Sequence, residues 1–385
     1  MSNVDVGIFE CIDYKSGNVR NALQKILMLF EDEFRNIKPG TKVLLKANLC
    51  TPTVPEKAAT THPSLLVELS KILLDLGAQV KIADDPIAPN VASQTLQLSG
   101  INSAFKGMPV ETAIFALDKG FRWVDVPKGI ILSKANFANE VLDADYIINV
   151  PKLKTHILTQ MSCSIKNFMG CIERAQRKEI HVYKEKDDFA AALLDIYRIK
   201  SANFTIVDGV VGMVGLGPSN GIPANIGYIV ASTNAYAVDY AAAKILGYNP
   251  MKISTIKLSK KHKLFDDAKI EYCGINPENC NTLKLPLAPN ISDAVRKRFA
   301  KQLSLYLKVN IQKCIKCGEC VKQCPSNAIS KNPIDIDYTK CQMCFCCFEL
   351  CPKGAIEFTI PSILGNQYTL TKEEMYDHLN RGESI

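Results

Sequence analysis

"CIKCGECVKQCP", Cys314 to Pro325, returns 27 residues further on as "CQMCFCCFELCP", Cys341 to Pro352. Both runs have the spacing C-x2-C-x2-C-x3-C-P, which is the ligand pattern of bacterial two-cluster ferredoxins. In that pattern the first three thiolates of a run bind one four-iron cluster and the fourth binds the other cluster. The repeat therefore predicts a small α+β ferredoxin-like domain with two 4Fe–4S clusters over residues 309–360.

The predicted metal ligands form two sets. One set is Cys314, Cys317, Cys320 and Cys351, and the other is Cys341, Cys344, Cys347 and Cys324. Zinc is the alternative, but zinc sites use paired knuckles from two separated segments rather than two such runs. Cys346 is an extra cysteine outside the repeat, and we expect it to be a neighbouring thiol rather than a ligand.

The length and composition of the chain indicate a large globular protein. It has 385 residues, of which 47% are hydrophobic, and a net charge of +7 from 46 basic and 39 acidic residues. The N-terminus lacks the basic and apolar regions of a signal peptide, and no apolar run is long enough to span a membrane. We therefore expect a cytoplasmic protein, in which thiols stay reduced. The sequence does not favour nucleic-acid binding, because no recognition motif accompanies the basic runs at 257–263 and 295–302.

Residues 1–285 alternate strand-like and helix-like segments. Strands are predicted at Val4–Cys11, Thr41–Leu49, Gln79–Pro86, Asp145–Pro151, Phe204–Gly212 and Ile226–Thr233. Helical patterns are predicted at Asn18–Phe34, at Ser64–Gly77 and after each of the last three strands. This alternation predicts an α/β domain, with a mostly parallel or mixed sheet and helices on both faces. Residues 286–308 are predicted to be a linker and a helix, and residues 361–385 a tail with a short helix.

Several stretches of this first domain carry a family resemblance. They are "LLKANLCTP" (Leu44–Pro52), "INVPKLKTH" (Ile148–His156), "SCSIKNFMGCI" (Ser162–Ile172) and "VDGVVGMVGLGPSNG" (Val207–Gly221). In this order they resemble the family of unknown function number three-six-two, which is often fused to a ferredoxin module of this kind. The resemblance implies the two-part organisation but supplies no settled reaction.

A cluster of polar donors follows the predicted strand at 145–151. In open α/β sheets, ligands bind at the carboxyl ends of strands, so donors placed there indicate a site. The candidate catalytic residues are Lys152, Lys154, His156 and Lys166, and the candidate cofactor-binding residues are Asn149 and Asn167. An anion site is one interpretation, and an exposed basic loop is the other. His156 is the candidate proton donor, because the unperturbed imidazole pKa lies near 6.5.

Other polar residues have open interpretations. His62 starts a helix and is expected to cap it. Asp84 and Asp85 end a strand and are candidates for binding a cation, ordering the basic cluster or capping a helix. Asp239 is either a buried cap partner or a catalytic acid. The segment "GLGPSNG" (Gly215–Gly221) is neither a nucleotide fingerprint nor a Walker loop, and we expect a turn-rich lid.

The functional hypothesis is an anaerobic iron–sulfur oxidoreductase. Two 4Fe–4S clusters would relay low-potential electrons to a small anionic substrate or cofactor in the α/β domain, and an external donor such as ferredoxin or flavodoxin would supply them. A flavin is compatible with this scheme, but no motif supports one. The alternatives are a non-catalytic electron-transfer protein or subunit that serves a partner reductase, and an anion-binding or assembly protein with structural clusters.

Overall fold

The computed structural model describes residues 3–86, 92–183, 185–280 and 307–358. The helices are α1 Ser16–Leu29, α2 Glu31–Phe34, α3 Pro63–Asp75, α4 Ala92–Leu98, α5 Ile101–Ala104, α6 Asn139–Asp143, α7 Ser164–Asn167, α8 Arg174–His181, α9 Lys186–Ile199, α10 Ala235–Ile245, α11 Ser254–Lys261, α12 Glu319–Gln323 and α13 Cys346–Leu350.

The strands are β1 Val4–Glu10, β2 Lys42–Lys46, β3 Gln79–Asp84, β4 Val110–Ile114, β5 Phe121–Asp125, β6 Lys134–Ala138, β7 Tyr146–Asn149, β8 Lys152–His156, β9 Gln160–Ser162, β10 Phe204–Val214, β11 Ile222–Ser232, β12 Ile270–Gly274, β13 Leu307–Val309, β14 Ile329–Lys331, β15 Ile334–Ile336 and β16 Ile356–Phe358. A 3₁₀ turn at Phe168–Cys171 follows α7 directly.

A ten-stranded mixed sheet forms the centre of the α/β part. Eight of its strands lie in the order β12-β1-β11-β10-β7-β2-β3-β4, and outside this order β8 pairs with β10 and with β9. The pairs among β10, β7, β2, β3 and β4 are parallel, whereas β11 is antiparallel to both β1 and β10. Helices cover both faces: Leu23 and Leu66 belong to a core on one face, and Leu193 belongs to a second core on the other. This confirms the predicted fold class.

The expectation of a helix after Phe204–Gly212 is wrong, because β10 turns back as β11 in a long antiparallel hairpin. The segment after Pro151 is also a strand rather than a loop. Two residues separate the end of β7 from the start of β8, and β8 pairs with residues 208–213 of β10. This stretch contains the register shift between Gly209 and Val211.

The region at 307–358 consists of two units related by the 27-residue repeat. The first unit is β13-α12-β14, and the second is β15-α13-β16, with each element displaced by the length of the repeat. The units exchange strands, because β13 pairs with β16 and β14 pairs with β15. The predictions for 286–306 and 361–385 lie outside the described residues.

The two parts of the chain share a packed interface. Ile157 and Leu216 of the α/β part belong to the same buried cluster as Met343, Phe345 and Phe348. The Asn220 side chain also donates a hydrogen bond to the carbonyl of Phe348 over 2.7 Å. The interface therefore places helix α13 against the carboxyl edge of the sheet.

Of the helices in the described ranges, none combines the length and the apolar character that crossing a membrane requires.

Candidate functional site

A cavity of about 90 Å³ lies between the carboxyl edge of the sheet and helices α12 and α13. An apolar cavity of about 150 Å³ holds benzene, so this one admits only a small chemical group. Residues of both parts of the chain line it: Asn48, Cys50, Asp84, Asp85, Lys154, Ser162, Lys166, Asn167, Met169, Gly170, Arg174, Arg177, Lys178, His181, Pro218, Gln323, Cys346, Glu349 and Leu350.

An ion pair between neighbouring strands forms the floor of the cavity. Lys46 ends β2 and Asp84 ends β3, and the Lys46 Nζ–Asp84 Oδ1 distance is 2.6 Å. Asp84 Oδ2 also accepts a hydrogen bond from the backbone N–H of Leu49 over 2.7 Å. Gly170 passes so close that a Cβ there would lie 2.1 Å from Asp84 Oδ1, so only glycine fits. Asp84 therefore pairs with Lys46, a lysine outside the predicted basic cluster of Lys152, Lys154, His156 and Lys166.

Lys154 is fully buried, lines the cavity and is held in place by a chain of hydrogen-bonded amides. Its Nζ donates to Asn48 Oδ1 and to the carbonyl of Ala59, each over 2.8 Å. Asn48 in turn donates to Asn167 Oδ1, and Asn167 Nδ2 donates to Asn149 Oδ1 over 2.8 Å. Asn149 does not line the cavity but holds Asn167 from behind. Burial lowers the pKa of Lys154, with partial opposition from Cys50 and Glu349.

Lys166 enters the cavity from the short helix α7. The start of this helix is fixed by Asp239, whose carboxylate accepts the backbone N–H of Ser164 over 2.7 Å and of Ile165 over 3.3 Å. Asp239 is therefore a cap partner, and burial raises its pKa to about 6. Burial lowers the pKa of Lys166, while the neighbouring Glu349 favours its charged form.

Two arginines of α8 form another wall. Arg174 Nη2 lies 2.5 Å from Asp85 Oδ1, and Arg177 Nη2 lies 2.8 Å from Asp85 Oδ2. Asp85 is buried, so the two guanidinium groups clamp both of its oxygens. This wall is therefore largely neutralised. Within the described ranges, the cavity lysines Lys154, Lys166 and Lys178 have no carboxylate at ion-pair distance, and Lys178 donates instead to the carbonyl of Lys322 over 2.8 Å.

The second cysteine run supplies Glu349, which the sequence reasoning missed. Glu349 is buried in α13, and its pKa is raised to about 8 by burial, with Lys166 and Lys154 opposing the shift. Cys346 lines the cavity beside it, and Gln323 of α12 completes this wall. Cys346 lies between the predicted ligands Cys344 and Cys347 without being a predicted ligand itself. This was the signal in the sequence that one face of helix α13 points to something other than a cluster.

His156 lies at the edge of the interface, outside the cavity lining. Its Nδ1 accepts backbone N–H groups from Leu158 and Thr159, so the hydrogen of the neutral ring is on Nε2. Nε2 lies 3.7 Å from Glu349 Oε1. Burial and the nearby lysines lower the pKa of His156 well below its usual value, so the ring is neutral at neutral pH. It holds no acidic imidazolium proton there, which weakens its predicted role as proton donor.

Lys152 points into a different network. Its Nζ donates to Asp208 Oδ2 over 2.8 Å and to the Tyr14 hydroxyl over 2.6 Å, and that hydroxyl donates to Asp208 Oδ1. His62 stacks on the Tyr14 ring with centroids 3.5 Å apart. Its Nδ1 also accepts the N–H of Ser64, which confirms the expected helix cap. The structure thus brings Lys154, Lys166 and Asn167 together in the cavity and places Lys152 outside it.

The structure places the four cysteines of the first predicted set next to one another. A second, smaller cavity is lined by all of Cys314, Cys317, Cys320 and Cys351. After burial, Cys351 is the largest cause that raises the pKa of Cys320, although it lies in the other run. Likewise Cys344 and Cys324 raise the pKa of Cys341. No three His, Cys, Asp or Glu side chains in the described ranges could hold a single metal ion together. A four-iron cluster does not require three side chains that converge on one point, because each thiolate binds its own iron atom.

Comparison with known proteins identifies both parts of the chain. A family model described as a domain of unknown function (DUF362) matches residues 43–244, and a model described as a 4Fe-4S binding domain matches residues 307–330.

Two individual proteins are similar to this chain. Thylakoid-associated protein sll1697 of Synechocystis sp. is 26% identical over 258 residues, which cover 66% of this chain and 78% of that protein. The lactate racemase apoprotein from Thermoanaerobacterium thermosaccharolyticum aligns with a TM-score of 0.39 and 12% identity, over 61% of this chain and 55% of that chain. The family model spans more than half of the sequence, and the chain therefore belongs to the DUF362 family, with a 4Fe-4S binding domain in its C-terminal part.

Proposed function

We propose that this protein is a cytoplasmic iron–sulfur oxidoreductase that reduces a small anionic substrate in the cavity between its two parts. The observation that carries the proposal is the composition of the cavity wall. Lys154 and Lys166 lie on one side, and Cys346 and Glu349, from the helix that includes the predicted ligand Cys347, lie on the other. Substrate and electron source would thus meet across one small space.

The cysteine geometry supports two clusters. Cys314, Cys317, Cys320 and Cys351 would hold one four-iron cluster, and Cys341, Cys344, Cys347 and Cys324 would hold the other. When bound, such clusters store and pass on single electrons at potentials set by their surroundings. The second set lies closer to the proposed substrate, because Gln323 and Cys346 line the cavity and are sequence neighbours of Cys324 and Cys347.

The cavity lysines would bind the anion and stabilise added negative charge. Lys154 is fully buried and Lys166 is half-buried, so their ammonium groups repel each other and are poorly solvated, and both effects favour an anion between them. Asn48 fixes the Lys154 side chain, so this charge is already oriented before the substrate arrives. Such preorganised groups act most strongly where charge develops during the reaction.

The experiment uses protein prepared without oxygen and reduced with dithionite. After excess reductant is removed, small carboxylates and phosphate esters that also carry a reducible group, such as a ketone or an activated double bond, are added without oxygen. The electrons of the clusters then pass to that group, and recovery of the visible absorption is followed. Lys154→Met and Lys166→Met should each slow reoxidation by the active compound about 10²–10³-fold, with the iron content unchanged. Lys134→Met is the control, because Lys134 does not line the cavity and its side chain is 65% exposed. Parental reoxidation rates in both cavity variants would place the substrate site elsewhere.

A further inference from the structure

The two cysteine loops have the same backbone shape but opposite surroundings. Lys316 and Gly318 in the first loop have φ values of 56° and 76°, and the equivalent Met343 and Phe345 have values of 50° and 60°. Met343 and Phe345 are buried and belong to the interface cluster that contains Ile157. Lys316 is exposed. The repeat therefore buries one loop against the α/β part and leaves the other facing solvent.

The exposed loop has an apolar centre. Ile311 is 60% exposed and Ile315 is 57% exposed, and between and beside them Lys313, Lys316 and Cys317 are exposed as well. Large aliphatic side chains that share one exposed loop form a surface that a partner can cover. In the second run, the positions equivalent to Ile311 and Ile315 are Tyr338 and Gln342. The apolar pair is thus specific to the solvent-facing loop.

The charges around this loop have one sign. In the described segments 308–320 and 352–357, the exposed charged side chains are all lysines, namely Lys308, Lys313, Lys316 and Lys353. The two acids of these segments are largely covered, since the side chains of Glu319 and Glu357 are 15% and 19% exposed. Each also contacts a lysine, Lys322 and Lys313 respectively. The rim of the surface is therefore positive.

This surface lies over the first set of cysteines. Ile315 and Lys353 line the same small cavity as Cys317 and Cys351. The second set, by contrast, lies next to the proposed substrate cavity. The first set of cysteines therefore lies near solvent, and the second lies near the proposed substrate. The apolar and basic loop separates the first set from solvent.

We propose that this loop, Ile311 to Cys317 together with Lys353, is the docking surface for a small acidic electron-carrier protein. The proposal rests on the proposed function and adds the place where its electron donor binds. Positive rims speed encounter with acidic partners, and small apolar centres give the weak, short-lived contact typical of electron carriers. Because the charges are exposed, binding should weaken as salt screens them.

The test measures the affinity of the cluster-loaded protein for an oxidised, acidic flavodoxin at low salt. Lys316→Glu should raise the Kd about tenfold or more, and Ile315→Asp should also raise it. Lys340→Glu is the control, since it makes the same charge change as Lys316→Glu at an exposed lysine of the second run, outside the proposed surface. Lys340 occupies the repeat position of Lys313. Each of these two lysines contacts a carboxylate at 3.2 Å. The control should change the Kd by less than about twofold. Iron content and visible absorption show that each variant retains its clusters.

Three results would overturn the proposal. One is the absence of flavodoxin binding at low salt, and another is a parental Kd in both Lys316→Glu and Ile315→Asp. The third is equal binding of a short DNA duplex with the same loss in Lys316→Glu, because the surface would then be a general polyanion site. Failure here is distinguishable from failure of the proposed function, since the reoxidation assay with dithionite needs no carrier protein.

Discussion

Lys152 is a buried lysine whose charge is matched inside the protein. Its Nζ and Asp208 Oδ2 are 2.8 Å apart, and both side chains are fully buried. Tyr14 bridges the pair through its hydroxyl, and the backbone N–H of His62 donates to the same carboxylate. The network joins α1, α3, β8 and β10, so it serves to hold these elements together.

Removing the lysine should therefore destabilise the fold. We expect Lys152→Met to lower the free energy of unfolding by about 3–5 kcal/mol, because it leaves the Asp208 carboxylate buried without its cation. Combining it with Asp208→Asn should recover part of this loss. The exposed pair of Lys134 and Asp125 is the comparison, and Lys134→Met should cost less than about 1 kcal/mol. Urea unfolding followed by far-UV circular dichroism gives the values, and a small loss in Lys152→Met would contradict the structural role.

The segment "KLKTH" shows why the sequence could assemble only part of the site. Lys152, Lys154 and His156 alternate with apolar or neutral residues, which is the period of a strand with one polar face. This alternation predicts that the three side chains share a face, and in the structure they follow one another along β8. The three side chains nevertheless have different surroundings, because their neighbours Asp208, Asn48 and Glu349 come from distant segments of the chain. A contact partner from a distant segment cannot be recognised from the sequence around the residue itself.

Cys346 gives a direct test of the ligand assignment. It is buried, lines the cavity and has no cysteine counterpart in the first run, where Glu319 occupies its position. Cys346→Ser should therefore keep the full iron content, whereas Cys347→Ser should lose roughly half of it, because Cys347 follows the four-ligand pattern. Iron and sulfide analysis of both purified variants decides the matter. Loss of iron in Cys346→Ser would show that the register of the second run is wrong.

At the scale of elements, the loop at 215–221 connects the hairpin β10–β11 to the C-terminal part. Leu216 packs in the interface cluster, Pro218 lines the cavity and Asn220 binds the carbonyl of Phe348. Gly217 lies so close to β8 that a Cβ would be 2.0 Å from the carbonyl oxygen of Thr155. The expected turn-rich lid is thus a clamp between strand β8 and helix α13.

Gly217→Ala should displace this loop, because the clash is with backbone that cannot rotate away. We expect a loss of about 1–3 kcal/mol in unfolding free energy and faster hydrogen exchange at 346–350. Gly17→Ala is the control, since a Cβ at Gly17 meets nothing within 4 Å and alanine favours the helix α1. Unchanged exchange at 346–350 in Gly217→Ala would mean that the loop does not hold α13.

The same elements separate what the sequence predicted from what it did not. β2, β3 and β7 are short buried runs beside one another in a parallel sheet, and their apolar patterns predicted them to within a few residues. Both strands of the hairpin β10–β11 were predicted, but their direct antiparallel connection was missed, because an apolar strand followed by glycines has the same pattern before a helix as before a returning strand. The 27-residue repeat, in contrast, predicted the two halves of the C-terminal region directly, since equivalent residues of the two halves form equivalent elements.

At the scale of the whole molecule, the ligand pattern makes a quantitative prediction. Protein produced and handled without oxygen should be brown and contain about eight iron and eight sulfide per chain, because the two runs supply ligands for two four-iron clusters. Chemical analysis of both elements tests this. About four of each would indicate a single cluster, and stoichiometric zinc without visible absorption would contradict the iron–sulfur assignment.

The clusters should also hold the C-terminal region in place. Its four strands have three residues each, and its buried residues include the cysteines themselves, so its protein core is small. Small domains of this kind depend on bound metal for their stability. The sheet of the α/β part has its own extensive cores on both faces.

Removing the iron should therefore unfold one part of the chain and spare the other. After oxidation and chelation, hydrogen exchange should become fast at 307–358 and at Ile157 and Leu216, which pack against it. Strands β2, β3 and β7 should stay protected, because they are buried by helices of the α/β part. The control is the same chelation treatment applied without the oxidant, which should leave exchange unchanged. If exchange became equally fast in both parts, the two parts would fold as one cooperative unit. The shape of the cavity would then depend on the clusters as much as on the sheet.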